Sequence, residues 1–222
     1  MTKDTTQLMP GELAQLLGSR LCHDLVSPLG AIGNGVELLE MSPGFPGIAN
    51  SPELRLIAES VAAARNRLQA FRIAFGQSQG SQRVSRAELA KLLSGMAAQT
   101  RLTVQLDAEG DFSRAEVRMV MLAMMCLETA LPWGGSITIV HTTNSWRFVA
   151  EASRTKQDRN LWHWLGGGCN KDASTRTIAP SEVQFVLLAE AVEQEQRVIL
   201  WDVDDSGAEL LIKHAGGNET LG

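Results

Sequence analysis

The chain is poor in several features that would mark whole classes of function. Its 222 residues include three scattered cysteines (Cys22, Cys126 and Cys169) with no CxxC and no His/Cys cluster to hold zinc. That pattern argues against a disulfide scaffold and suits a reducing compartment. There is no dense Lys/Arg run, the net charge is −5 and the isoelectric point is near 5.4. A nucleic-acid partner is therefore not expected, because it needs a basic face to neutralise phosphates. No apolar run approaches the roughly 20 residues that cross a bilayer. The opening stretch, MTKDTTQLMPGEL, lacks the apolar core of a signal peptide. These absences predict a cytoplasmic protein with no membrane partner. What is present, 44% hydrophobic and 20% charged residues, suits one large domain or two small ones with real cores.

The first third of the chain is patterned for helices. Between about residues 10 and 41, Leu17, Leu21, Leu25, Leu29, Ile32, Val36 and Leu39 recur every three or four positions, the stripe of one long helix. MSPGFPGIAN then breaks it with proline and glycine. SPEL opens a second helix: Ser51 suits the N-cap, Pro52 the first helical position and Glu53 the positive end of the dipole. Its stripe, Leu54, Ile57, Val61, Ala64, Leu68, Phe71 and Phe75, alternates threes and fours as bundle seams do, and Gly76 offers the stop. One helical hairpin cannot enclose a seam this long. Two copies forming a dimeric four-helix bundle are the natural solution, so a homodimer is expected.

GQSQGSQR, residues 76–83, reads as a linker, which places a boundary between domains 1–78 and 79–222. Beyond it the spacing predicts helices over 85–99, 113–131 and 181–195, with Ser85/Glu88, Ser113/Glu116 and Ser181/Gln184 as capping pairs. Strands are predicted at LTVQLDA, SITIVHTT, WRFVAEAS, RVILWDV and AELLIKH, with a turn at 143–145 and a tight one at DDSG. Residues 153–178 read mostly as loop, and the closing AGGNETLG as a frayed end. The second region is thus an α/β sandwich with a mostly antiparallel sheet, and the chain as a whole is α+β.

One stretch does not fit a plain amphipathic helix. In LCHDLVSPLGAI a His-Asp pair is followed by a proline inside an apolar helical run, where proline removes a hydrogen bond and crowds the preceding turn. At about 100° per residue, His23 lies opposite the mean direction of the leucine stripe and faces solvent. Ser27, Gly30 and Asn34 share that outward face. Pro28 is expected to bend or fray the helix beyond His23, and Gly30 to clear room for another protein.

CHDLVSPLGAI resembles the phosphoacceptor box of two-component histidine kinases: His, an acid, three residues, then Pro. The hairpin resembles their dimerisation and phosphotransfer domain, and the later elements their ATP-binding domain. In active kinases a long helix carries two asparagines, the first of them a magnesium ligand, but MCLETAL has Met125 and Thr129 at those positions. A thioether is a poor ligand for an ion that wants hard oxygen donors. VAEASRTKQDRN has no glycine where a glycine box is due, and Pro180 and Ser181 stand where the second should be. LGGGCN, residues 165–170, lacks the Lys and Ser/Thr of a phosphate loop and reads as a turn. A bundle with an acceptor histidine and a degenerate ATPase-like domain resembles the ChpT class of bacterial histidine phosphotransferases.

That resemblance implies a phosphorelay role. His23 would take a phosphoryl group from the receiver domain of a hybrid kinase and pass it to response-regulator receivers, with no cofactor on this chain and Mg²⁺ held by the receiver. It implies catalytic roles for His23 (attack through Nε2) and Asp24 (orienting the ring through Nδ1–H). Arg20, Ser27, Pro28, Gly30 and Asn34 would support receiver docking, and the second domain would have become a docking surface. Ser27 either supports hydrolysis or is plain helix surface. The other readings are a working ATP-dependent kinase core, opposed by Met125 and Thr129, and a non-catalytic adaptor, opposed by the His23–Asp24 pair. His141, His163 and His214 have no acid at helical spacing and read as structural or solvated. Cys22 is expected toward the flank of its helix. Trp162 and Trp164 are either an exposed anchor or core.

Overall fold

A computed structural model describes residues 10–44, 47–76, 82–98, 100–166, 178–217 and 219–221. The chain divides into two compact units, Met1–Ser78 and Gln79–Gly222. The first contains α1 (Pro10–Glu40) and α2 (Pro52–Ala74). At the start of α2 the Ser51 hydroxyl accepts the Leu54 N–H at 3.1 Å, with Pro52 in the first turn. The two helices run antiparallel: Gly18 of α1 lies against Phe75, and Gly33, fifteen positions on, against Val61 and Arg65. A methyl group at Gly18 would sit 3.3 Å from Phe75 Cβ, so the close approach of the helices depends on its missing side chain.

This close approach sets which residues a single hairpin encloses. Cys22 is buried, not on the flank, and Val36, Leu54, Leu68, Ala70 and Ala74 are the other buried apolar side chains among the described residues of the hairpin. Of the leucine stripe on α1, Leu17, Leu21, Leu25 and Ile32 stand half or more exposed. Small residues bring α2 onto the Gly18–Cys22–Gly33–Val36 line, and the leucines are turned to the neighbouring face. α1 also runs unbroken through Pro28, so no fraying occurs there.

In the second unit a five-stranded sheet has the order β2-β4-β5-β7-β6, built from β2 (Leu102–Asp107), β4 (Gly135–His141), β5 (Ser145–Glu151), β6 (Arg197–Val203) and β7 (Gly207–His214). β2 runs parallel to β4, in the register Leu102 opposite Gly135, and every other pairing is antiparallel. Alternate residues Ile137, Ile139, Phe148, Leu210 and Ile212 turn inward to the core. They meet α3 (Arg86–Ala97), α4 (Arg114–Ala130) and α6 (Val183–Gln194). α4 is buried without a break from Val117 to Leu127, Arg118 included, as a helix enclosed by sheet and helices must be. Ser113 and Glu116 form the full capping box expected at its start.

Several smaller expectations need correction. β1 (Arg83–Ser85) and β3 (Asp111–Ser113) pair into a second small sheet; at three residues each they are too short to show an alternation. Within the stretch read as loop, α5 (Arg159–Trp162) and a following 3₁₀ turn form a helical segment. The cap before α6 is not Ser181/Gln184: the Glu182 carboxylate accepts the Ala179 N–H at 3.1 Å, and Gln184 turns inward. The C-terminal end is tied down, Lys213 Nζ donating to the Gly217 carbonyl at 2.7 Å and Arg147 Nη2 to that of Thr220 at 2.6 Å. Residues 77–81 of the linker, and the part of LGGGCN that includes Cys169, lie outside the described residues.

Candidate functional site

The spacing of three and four residues places Arg20, His23, Ser27, Gly30 and Asn34 along one outer face of α1. The His23 side chain is 83% exposed, so the ring projects into solvent instead of packing on α2. Ser27, Pro28 and Asn34 are also exposed, and a methyl built on Gly30 would meet nothing within 4 Å. Pro28 removes the N–H that would bond the Asp24 carbonyl in a regular helix. The face is therefore open, small in relief and centred on one imidazole.

Asp24 follows His23 directly, yet its carboxylate reaches the ring: Oδ1 lies 3.2 Å from His23 Nδ1. Its other oxygen, Oδ2, lies 2.8 Å from Arg20 Nε, one turn back. The hydrogen bond with His23, and after it the Arg20 guanidinium, hold the Asp24 carboxyl below its usual range. An ionised carboxylate can only accept, so Nδ1 carries the proton and donates to it. In the neutral ring the second nitrogen, Nε2, is then the one with a free lone pair. The Arg20–Asp24 contact is an i,i+4 charge pair; the spacing is visible in the sequence, but the link it makes to the ring is not.

The other histidines are placed differently. His141 meets Phe112 edge-on and lies tilted against Trp146, with ring centroids 5.1 and 4.3 Å away. Burial pushes its pKa down, Glu116 raises it and Arg197 lowers it, with a net shift downward. His163 sets its ring edge on Trp201 and bonds the Arg159 carbonyl through Nδ1. His214 is exposed at the end of β7. Trp162 is core: it is 1% exposed and packs edge-on to Phe185. Cys126 is fully enclosed in α4, and burial pushes its thiol well up, away from the reactive thiolate.

The two positions that would carry asparagines in a kinase both lie on α4, Thr129 only half-buried. Met125 is buried. The Thr129 hydroxyl donates to the Met125 carbonyl and accepts from Gln184 Nε2, both at 3.0 Å. Gln184 also donates to the Ser181 carbonyl at 3.0 Å, which ties the start of α6 to α4. A thioether and an already engaged hydroxyl do not fit a magnesium ion. Among the described residues no group of three or more His, Cys, Asp or Glu side chains is gathered to hold a metal. No helix among them is long and apolar enough to cross a membrane.

Residues 86–207 match the family described as the histidine phosphotransferase C-terminal domain. A stretch of 65 residues is 51% identical to the protein phosphotransferase ChpT of Brucella abortus (strain 2308). That stretch is 29% of this chain and spans only 29% of the relative's length. Among solved structures, a bacterial phosphotransferase superposes with a TM-score of 0.66 at 20% identity, covering 94% of this chain and 98% of the other. At that identity the likeness concerns the fold, a helical pair followed by a mixed α/β unit.

Proposed function

Since the chain belongs to the histidine phosphotransferase family, whose C-terminal domain it carries over residues 86–207, we propose that it relays phosphoryl groups between receiver domains through His23. One observation carries this reading: an imidazole 83% exposed on a helix surface, its Nδ1 held by a carboxylate and its Nε2 left to attack. In the transfer, Nε2 bonds to the phosphorus of a receiver's aspartyl phosphate as the phosphorus–oxygen bond breaks, and the receiver's carboxylate departs. The ring becomes a phosphoimidazolium that still carries its Nδ1 proton, and Asp24 faces that new positive charge. The reverse step delivers the group to the next receiver. Catalysis of such a transfer consists mainly of positioning and charge stabilisation, so Mg²⁺ belongs to the receiver. Ser27, Pro28, Gly30 and Asn34 form the face on which the receiver lands, with Arg20 beside them.

The same reading makes the working molecule a homodimer. Leu17, Leu21, Leu25 and Ile32, with Ile57 of α2, are exposed in the single chain at the spacing of a bundle seam. A second copy that covers them completes a four-helix bundle. The second unit serves as a docking surface for receivers and not as a nucleotide site; what supports this is the buried Met125 and the engaged Thr129. The absence of a basic run and of a membrane-spanning helix among the described residues suits a bacterial cytoplasmic relay.

The test uses a receiver labelled with phosphate on its aspartate, offered to the wild type and to His23→Ala. The wild type gains label that is acid-labile and base-stable, as phosphohistidine is, and the variant gains none. Label on the alanine variant, or on a residue outside α1, refutes the assignment. Docking without any transfer to the wild type would establish the adaptor reading instead.

A further inference from the structure

The contacts of Asp24 reach beyond the histidine to a residue with no part in bond-making. Its two carboxylate oxygens are divided, Oδ1 to His23 Nδ1 at 3.2 Å and Oδ2 to Arg20 Nε at 2.8 Å. A carboxylate on a half-exposed side chain can rotate about its terminal bond, and bulk water competes for both oxygens. An adjacent residue on a helix, some 100° away around the axis, does not point at its neighbour by default. Asp24 must lean toward the ring to reach it. The Arg20 guanidinium, one turn earlier, grips one oxygen and leaves the other turned to Nδ1.

We propose that Arg20 is a positioning residue for phosphotransfer: by pairing with Asp24 Oδ2 it presents Oδ1 to the His23 Nδ1–H and keeps Nε2 as the unprotonated nucleophile. The inference rests on His23 being the phosphoacceptor, and it adds what holds that ring in its reactive tautomer. The consequence is chemical as well as geometric. A free neutral imidazole distributes its proton over both nitrogens, and only the Nδ1–H form has its lone pair on Nε2. The same Asp24 oxygen faces the positive charge that the ring acquires when Nε2 bonds to phosphorus. Arg20 thus acts on the reaction through Asp24 and touches neither the ring nor the phosphoryl group. Arg20 and Asp24 are both well exposed, with side chains 73% and 48% accessible, so the pair adds little to stability and can be altered without unfolding the hairpin.

The experiment is carried out on the full chain with ¹⁵N-labelled histidine. The ring nitrogen shifts of His23, assigned by their loss in His23→Ala, give the tautomer populations in the wild type, Arg20→Gln and Arg20→Lys. In parallel, the rate of label uptake from a phosphorylated receiver is measured at saturating receiver. The wild type holds mainly the Nδ1–H form. In Arg20→Gln that population falls toward the free-imidazole balance, and the uptake rate drops by about two- to five-fold, the scale of an exposed i,i+4 charge pair. Arg20→Lys, which keeps the charge but grips with a single point, recovers part of both. An unchanged tautomer in Arg20→Gln overturns the proposal, including the case where uptake falls, since Arg20 would then act on the receiver. A shifted tautomer with an unchanged uptake rate overturns it too. Failure of the phosphoacceptor reading shows separately, as label retained by His23→Ala, and in that case the ring shifts alone still decide whether Arg20 sets the tautomer.

Discussion

Replacing Leu21 by alanine separates the packing inside the hairpin from the packing between two copies of it. Leu21 is 63% exposed in the single chain and makes no part of the Cys22–Val36–Leu68 interior. Covering its exposed portion in a bundle removes on the order of 100 Å² of apolar surface from water, about 2.5 kcal/mol at roughly 25 cal/mol per Å². Truncation to alanine forfeits about half of that, and the symmetry of a dimer counts it twice, so the dimer loses about 2–3 kcal/mol. That corresponds to a dissociation constant weakened by about 30- to 150-fold. The assay is sedimentation velocity over a dilution series, with circular dichroism to confirm that the helices persist. Val36→Ala is the matched control: Val36 is 7% exposed within the chain, so its truncation lowers the hairpin's own stability by roughly 1–2 kcal/mol. A wild type that stays monomeric at tens of micromolar refutes the argument. So does a Leu21→Ala variant whose dissociation constant matches the wild type's.

Two further predictions concern the second unit. Because Met125 is buried and Thr129 is already hydrogen-bonded to Gln184, Mg-ATP should bind no better than millimolar; a micromolar dissociation constant by titration calorimetry would contradict this and revive the kinase reading. His141 has its folded pKa lowered by burial against Phe112 and Trp146, with Glu116 raising it and Arg197 lowering it. The unfolded chain, with an imidazole near the usual value of about 6.5, therefore binds the proton more readily. The stability that neutral His141 contributes is complete above that pH and is lost as pH falls below it toward the folded value. Urea unfolding of the wild type should thus weaken from pH 7 to 5.5 with a steeper slope than that of His141→Phe. Equal slopes would show that His141 does not titrate with folding.

Much of this molecule was legible in residue order because the signals are local. Proline at the first turn with serine before it set the start of α2, and a serine–glutamate pair set the start of α4; both act within one helical turn. The period-two strands from Leu102 to His214 declared which side chains would face a core. The outward direction of His23 followed from its helical angle to the leucine stripe. At the other extreme, three-residue β1 and β3 carry too few positions to show a period, and their pairing depends on Arg83 meeting Ser113 thirty positions away.

Tertiary structure decided what local pattern could not. The sequence by itself determined two helices with apolar stripes, the site of the exposed histidine, and a second region of helices on a sheet. Which stripe of α1 meets α2 depended on the small residues Gly18, Cys22 and Gly33 letting the helices approach, a comparison between faces that periodicity cannot rank. The same holds for Gln184: as a cap residue it would have served the start of its own helix, but the approach of α6 to α4 gave its amide Thr129 as a partner. Asp24 shows the limit most clearly. Adjacency told only that an acid stood beside a histidine, whereas the hold of Arg20 on one oxygen and of the ring on the other arises when three side chains share a helix surface. Local order writes elements and their faces; the contacts between faces are settled by size, distance and competition for partners, and those exist only once the chain is folded.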